Sequence, residues 1–400
     1  MMKLSENLNR FSLSPIVEIS ELAGRLRAEG RVIYDLSSGE PDFITEDFIC
    51  DAGHAAIDAG ETKYTFTDGT TEFKQAIIRK FQREGHPDYS VKQVAVGSGA
   101  KPLIANILMT LLDAGDEVVI PGPCWSSHPG MVLALGGSPV VVNCAIDEGF
   151  KMSADRLRSA LNDKTRVLIL CNPNNPTGAV YSAAEQRELA DVLHDFPDLW
   201  ILSDEIYSDI VFDGNTHQSF VVAAPELLNR TITVNGLSKG YAMTGWRIGY
   251  AVGPESMMDG LRQMMSQVAG SPSTLAQIAG IEALDGSQVG LVTRRKAYQA
   301  RRDAVMQWFS DVKQFRIPKP AGAFYVYVDC AGAIGQTTPQ GEHINSSADL
   351  ARYLLEYGGV AIVPGEAFES STSFRLSIAS SMEQLSPACK AIVEACRDLS

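Results

Sequence analysis

The sequence predicts an α/β fold, and three observations carry that prediction. Short apolar runs recur through the middle of the chain, with helix-like segments between them. The run Val167-Leu168-Ile169-Leu170 is unbroken, which suits a strand buried on both faces. Ser182, a residue type that caps helices, stands three positions before Glu185, the pattern of a capping box. Strands buried on both faces and separated by helices imply a mostly parallel central sheet with helices on both faces.

Taken in order, Gln93 to Val96 reads as a strand, Lys101 to Leu112 as a helix with an apolar face, and Glu117 to Ile120 as a second strand. Arg166 to Cys171 is the buried strand, and the capped helix follows it. Trp200 to Ser203, Thr231 to Val234 and Ile248 to Val252 complete the set. After about Asp285 the pattern changes to a long charged helix carrying Arg294, Arg295, Lys296, Arg301 and Arg302. Strands then follow at Phe324 to Val328, Val360 to Val363 and Phe374 to Ile378. This suits a smaller α+β domain completed by the N-terminal segment. The expected division is a large domain over 46–285 and a small domain formed by 1–45 and 286–400.

Four hundred residues are enough for a substantial core and two domains, and 45% apolar content is ordinary for a globular protein. The longest apolar runs are too short to span a bilayer, and Met1 to Ser14 holds no secretory h-region. A net charge of −14 argues against a nucleic-acid partner and suits a cytoplasmic protein. The seven cysteines are odd in number and show no CxxC spacing, which argues against a disulfide frame or a zinc site. The six histidines form no HExxH pattern, so no metal centre is expected.

In open α/β sheets, ligands sit at the carboxyl ends of the strands. Four unusual segments fall at such places: Gly97-Ser98-Gly99-Ala100-Lys101, Asn172-Pro173-Asn174-Asn175-Pro176-Thr177-Gly178, Ser203-Asp204-Glu205-Ile206-Tyr207 and Ser238-Lys239. Each alone reads equally well as a turn or a cap; in combination they point to one crevice. The last is the most informative. Lys239 follows a hydroxyl at Ser238 and precedes Arg247 by eight residues, between two apolar runs. A lysine forms a Schiff base with an aldehyde, and a hydroxyl with a guanidinium holds a phosphate. An aldehyde that carries a phosphate describes pyridoxal 5'-phosphate.

With these segments in place, the chain resembles a fold-type I, pyridoxal 5'-phosphate-dependent aminotransferase of class I. It is most similar to the gamma subgroup of aspartate aminotransferases. The resemblance runs from Ser38-Gly39-Glu40-Pro41-Asp42-Phe43 to Phe374-Arg375-Leu376-Ser377. Its most specific parts are the Asn172 to Gly178 run and the stretch from Ser238-Lys239 to Gly245-Trp246-Arg247-Ile248-Gly249-Tyr250. The resemblance implies that Lys239 bonds the cofactor and later serves as general base and acid. It implies that Asp204 pairs with the pyridine nitrogen, that Tyr207 and Asn175 contact the phenolic oxygen, and that Trp125 stacks on the ring. The phosphate would be held by the backbone of Gly99, Ala100 and Lys101 at a helix N-terminus, and by Ser238 and Arg247. Tyr64 matches a tyrosine that reaches the phosphate from the neighbouring subunit of a homodimer. Arg375 would clamp the substrate α-carboxylate, with the backbone of Gly39 and the side chains of Trp125 and Asn175 beside it.

The expected reaction is ping-pong transamination between an L-amino acid, with aspartate or glutamate favoured, and a 2-oxo acid such as 2-oxoglutarate. A free lysine titrates near about 10.4, too high for a base at neutral pH, so burial and nearby positive charge are expected to lower Lys239. A lysine at the position of Lys101 is associated in the subgroup with the distal carboxylate of aspartate or glutamate, and this reading is preferred to a lysine of the phosphate turn or a solvated surface. The chain departs from the subgroup at Leu13-Ser14-Pro15-Ile16, where Ser14 matches but Ile16 replaces a common threonine, and again over Thr65 to Glu72. Aromatic or neutral amino acids and prephenate therefore stay open as substrates. A pyridoxal-phosphate-dependent C–S lyase stays open as an alternative reaction. A non-enzymatic sensor is disfavoured, because the motifs begin by Gly39 and leave no room for a preceding basic DNA-binding domain.

Overall fold

The computed structural model describes residues 5–11 and 15–400, with the side chains at positions 6, 7, 15 and 16 excepted. Of the departure noted at Leu13-Ser14-Pro15-Ile16, positions 13 and 14 and the side chains of 15 and 16 lie outside that description. The chain begins with α1 (Pro15–Ala28), β1 (Tyr34–Asp35), α2 (Asp47–Asp58) and α3 (Thr71–Arg83). It then alternates through β2 (Val94–Gly97), α4 (Ala100–Leu111), β3 (Glu117–Gly122), α5 (Ser127–Ala134), β4 (Ser138–Asn143), α6 (Ala154–Ala160), β5 (Thr165–Cys171) and α7 (Ala183–Leu193). Next come β6 (Trp200–Asp204), α8 (Phe220–Ala223), β7 (Thr231–Gly236), β8 (Gly249–Val252), α9 (Glu255–Val268), α10 (Thr274–Asp285) and α11 (Val289–Trp308). The last part holds β9 (Tyr325–Asp329), α12 (Ser347–Glu356), β10 (Val360–Ala361), β11 (Val363–Pro364), β12 (Ser373–Ser377) and α13 (Met382–Arg397).

The central sheet has seven strands in the order β2-β8-β7-β6-β5-β3-β4. Only β8 runs against its neighbours. The apolar runs explain the layers, because successive side chains on a strand face opposite ways. Val167 and Ile169 of β5 pack with Leu103, Ile107 and Leu261 of α4 and α9 on one face. Leu168 and Leu170 pack with Leu189 and Leu193 of α7 on the other. Towards the β2 edge, Val96 and Tyr250 pack with Phe73 and Ile77 of α3 and Ala279 of α10. The capping box forms as expected: the Ser182 side chain accepts from the Glu185 amide, and the Ser182 amide donates to the Glu185 carboxylate (2.8 Å).

In the C-terminal part, β12 pairs antiparallel with β9 and with β11, while β1 pairs parallel with β10. The expected single strand over Val360 to Val363 is thus two short strands in two different sheets, with Ile362 between them fully buried. Helices α1, α12 and α13 close this core through residues such as Ala23, Leu354 and Ile392. Tyr207, Ile210 and Phe212, from the turn after β6, pack into the same cluster. The loop at the carboxyl end of a central strand is thereby cemented to the C-terminal core.

Candidate active site

Because β2, β3, β5, β6 and β7 are parallel to one another, their carboxyl ends open on one edge of the sheet. A cavity of about 540 Å³ lies there, within the range of small-molecule sites. Its wall includes Gly39, Ala100, Lys101, Trp125, Asn175, Asp204, Tyr207, Ser238, Lys239, Arg247 and Arg375. Eleven of the thirteen expected residues are therefore brought together. Gly99 lies one residue behind the wall. Tyr64 does not line the cavity and is 97% exposed on its own chain.

The wall has a cationic side suited to an anion. Helix α4 starts at Gly99, whose φ of 106° favours glycine. The first N–H groups of a helix have no acceptor within it, and Pro102 has no N–H at all, so the amides of Ala100 and Lys101 point outward at this end. Arg247 adopts a left-handed φ of 55° and lays its guanidinium across Gly99. A Cβ on Gly99 would stand 2.6 Å from Arg247 Nη2, so only a residue without a side chain permits this approach. Arg247 Nη1 donates to the Thr244 carbonyl (3.0 Å), while Nη2 reaches the Ser98 carbonyl only at 3.5 Å. That leaves donor capacity for a phosphate.

Of the three asparagines in the Asn172 loop, two brace the backbone. Asn172 accepts from the Tyr181 amide (3.0 Å), and Asn174 accepts from the amide and hydroxyl of Thr177 (3.2 and 2.9 Å). Asn175 alone faces the cavity, where its Oδ1 accepts from Arg375 Nη1 (3.1 Å). Arg375 Nη2 donates to the Ser37 carbonyl (2.7 Å), and its buried Nε has no partner. A buried guanidinium with an unused donor is built for something absent from the chain itself, since unsatisfied buried polar groups are costly.

Lys239 is half-buried, and its Nζ donates to the Gly39 carbonyl (2.5 Å). Burial, then the positive charge of Arg375 and Arg247, outweigh nearby Glu40 and Asp204 and bring its amine down to about 8. Asp204 ends β6 and is buried; His128 Nε2 faces its Oδ2 at 3.2 Å. Trp125 lies edge-on to His128 (5.2 Å between ring centres), and Lys101 Nζ sits 5.3 Å from the Trp125 ring. Tyr207 is buried with its hydroxyl 2.9 Å from that of Tyr325, and burial raises its phenol well above the ordinary range.

Ser37, His128 and Tyr325 were not expected. His128 carried a faint signal, three residues past Trp125 at the start of α5. Tyr325 and Ser37 carried none, because their partners lie far off in the chain: 118 residues for Tyr207 to Tyr325 and 338 for Ser37 to Arg375.

The residues fit pyridoxal 5'-phosphate. The cradle at Gly99 suits its phosphate, Lys239 its aldehyde, and Asp204, held by His128, its pyridine nitrogen. The family described as "Aminotransferase class I and II" matches residues 31–392. The aspartate/prephenate aminotransferase of Cereibacter sphaeroides is 44% identical over 397 residues, covering 99% of both chains. The aspartate aminotransferase of Rhizobium meliloti (strain 1021) is 42% identical over 99% of this chain and 97% of its own. The crystal structure of the aspartate aminotransferase from Rhizobium meliloti superposes with a TM-score of 0.97 at 42% identity, covering 100% of both chains. That of the Thermus thermophilus enzyme with maleate gives 0.91 at 35% identity, covering 99% of this chain and 100% of that one. The chain belongs to the class I and II aminotransferases and is a pyridoxal 5'-phosphate-dependent transaminase of fold-type I.

Proposed function

We propose that this aminotransferase moves the amino group of aspartate or glutamate to a 2-oxo acid such as 2-oxoglutarate, in a ping-pong cycle. One observation carries the choice of dicarboxylates: Arg375 and Lys101 are two cations on one cavity wall, and neither has an acidic ion-pair partner among the described residues. Two unpaired cations match two carboxylates. The names of the relatives support this, as does the maleate, itself a dicarboxylate, in the Thermus thermophilus structure. Prephenate is a second acceptor supported by the name of the Cereibacter sphaeroides relative.

The cofactor supplies an electrophilic aldehyde and an electron sink; this chain supplies the rest. Arg375 binds the α-carboxylate through its unused donors, with Asn175 and the Gly39 backbone completing that subsite. Lys101 Nζ binds the distal carboxylate beside the Trp125 ring. Lys239 is the covalent anchor for the cofactor. Once the substrate amine had taken its place on the cofactor, the freed neutral Lys239 amine would serve as the base for the substrate Cα proton and as the acid that gives a proton back, and an amine at about 8 suits that task at neutral to mildly alkaline pH. Asp204, fixed by His128, would hold the proton at the pyridine nitrogen. Tyr207 and Asn175 would donate to the phenolic oxygen, and Trp125 would cover the ring. Gly99, Ala100, Lys101, Ser238 and Arg247 would hold the phosphate, with Tyr64 of the partner subunit in a homodimer.

The test is an absorbance titration of the cofactor-loaded protein with single amino acids and no acceptor. Aspartate and glutamate are expected to discharge the cofactor's yellow colour, whereas alanine and phenylalanine leave it. Lys101→Ala is expected to raise KM for aspartate about tenfold or more. Discharge mainly by neutral or aromatic amino acids would overturn the dicarboxylate assignment.

A further inference from the structure

Tyr325 sits where the two halves of the active site meet. Its hydroxyl is 2.9 Å from the Tyr207 hydroxyl, and both side chains are buried. Its ring face carries the Arg375 guanidinium, 4.3 Å from the ring centre, with the Phe368 ring at 5.1 Å. Strand register builds this contact: Tyr325 pairs with Ser377 and Tyr327 with Arg375, so Tyr325 and Arg375 are diagonal neighbours on β9 and β12. The third neighbour is Gly39, where a Cβ would stand 3.0 Å from the Tyr325 hydroxyl. The carbonyl of that same glycine accepts from Lys239.

We propose that Tyr325 is a positioning residue that acts on the cofactor through Tyr207 and on the substrate carboxylate through Arg375. The first arm rests on the reading of Tyr207 as a donor to the cofactor's phenolic oxygen. A phenol has one proton. When Tyr207 spends it there, its oxygen can only accept, and the Tyr325 hydroxyl is the donor in place. Hydrogen bonds in such a chain polarise one another, so Tyr325 makes Tyr207 a stronger donor. A stronger donor favours the proton-poor form of the cofactor–lysine unit, in which the phenolic oxygen carries full negative charge. The second arm is geometric. Asn175 and Ser37 fix two nitrogens of Arg375, and the Tyr325 ring fixes the plane in which the remaining donor meets a carboxylate.

Two readouts separate the arms: the pH midpoint of the loaded protein's absorbance change, and the dissociation constant for maleate. Tyr325→Phe keeps the ring and removes the hydroxyl. It is expected to raise the midpoint by on the order of half a pH unit, less than Tyr207→Phe does, and to leave maleate affinity within about twofold. Tyr325→Leu is expected to raise the midpoint similarly and also weaken maleate about tenfold. A residue that merely fills space would move neither readout on replacement by Phe. A midpoint unmoved in Tyr325→Phe but moved in Tyr207→Phe overturns the inference alone. A midpoint unmoved in both overturns the reading of Tyr207, and the first arm falls with it. Maleate affinity equal in the Phe and Leu variants overturns the second arm.

Discussion

At the scale of single residues, chemistry follows from where charge is concentrated. Lys239 lies near Arg375 and Arg247, and after burial these two charges do most to lower its amine to about 8. Only the neutral amine attacks an aldehyde. Uptake of the cofactor by cofactor-free protein should therefore accelerate as pH rises through about 8 and level off above it. Arg375→Leu removes one of the depressing charges, so the midpoint should move upward, towards the ordinary lysine range. Stopped-flow absorbance across pH measures both. A midpoint that stays put in Arg375→Leu would remove Arg375 from that account and leave burial and Arg247 to set the amine. Lys239 stood out in the sequence because a lysine between two apolar runs is a chemical oddity, whereas the expected roles of Asp204 and Arg375 came from the resemblance. His128 and Tyr325 did not stand out, because each looks like an ordinary core residue until its partner is known.

At the scale of elements, the strand-to-loop junction after β6 shows how a fold holds a site. Glu205, next to Asp204, is fully buried and accepts from the hydroxyls of Ser203 and Ser219 (2.7 Å each), the Phe220 amide (3.2 Å) and His217 Nε2 (3.1 Å). These bonds tie the end of β6 to the start of α8. Burial alone would raise the carboxyl; His217 and the hydrogen bonds outweigh it and take it from 4.5 to about 2. A depressed carboxylate stabilises the fold fully above its unfolded value and loses that contribution as pH falls to the folded one. The shift corresponds to roughly 3 kcal/mol. Glu205→Gln should thus cost about that much at pH 7, by denaturant unfolding, and the gap to the parent should narrow between pH 4.5 and about 2. An equal loss at both ends of that window would assign the effect to packing. The strands themselves were legible because their apolar runs are buried on both faces. Pairing partners were not: nothing local shows that β8 runs antiparallel, or that Val360 to Val363 divides between two sheets.

At the scale of the whole molecule, the site is an assembly of distant pieces. Lys239 meets Gly39, and Arg375 meets Asn175, each across 200 residues. Such contacts are set by how the C-terminal core docks on the large sheet, which no local pattern encodes; only the resemblance placed them. The remaining piece is Tyr64, proposed to complete the phosphate site of a second copy. Its 97% exposure, with Phe66 beside it at 74%, leaves it free to do so. Subunit mixing tests this directly. Lys239→Ala and Tyr64→Ala should each be nearly inactive alone. In a hybrid dimer, one site combines both damaged residues, and the other combines the intact Lys239 of one subunit with the intact Tyr64 of its partner. Random reassociation of equal amounts makes half of the dimers hybrids, so about a quarter of the parental activity should return, because a two-fold dimer builds each site from both chains. Activity that stays at the sum of the two variants after exchange, with hybrids confirmed by native mass spectrometry, would place Tyr64 outside the partner's site.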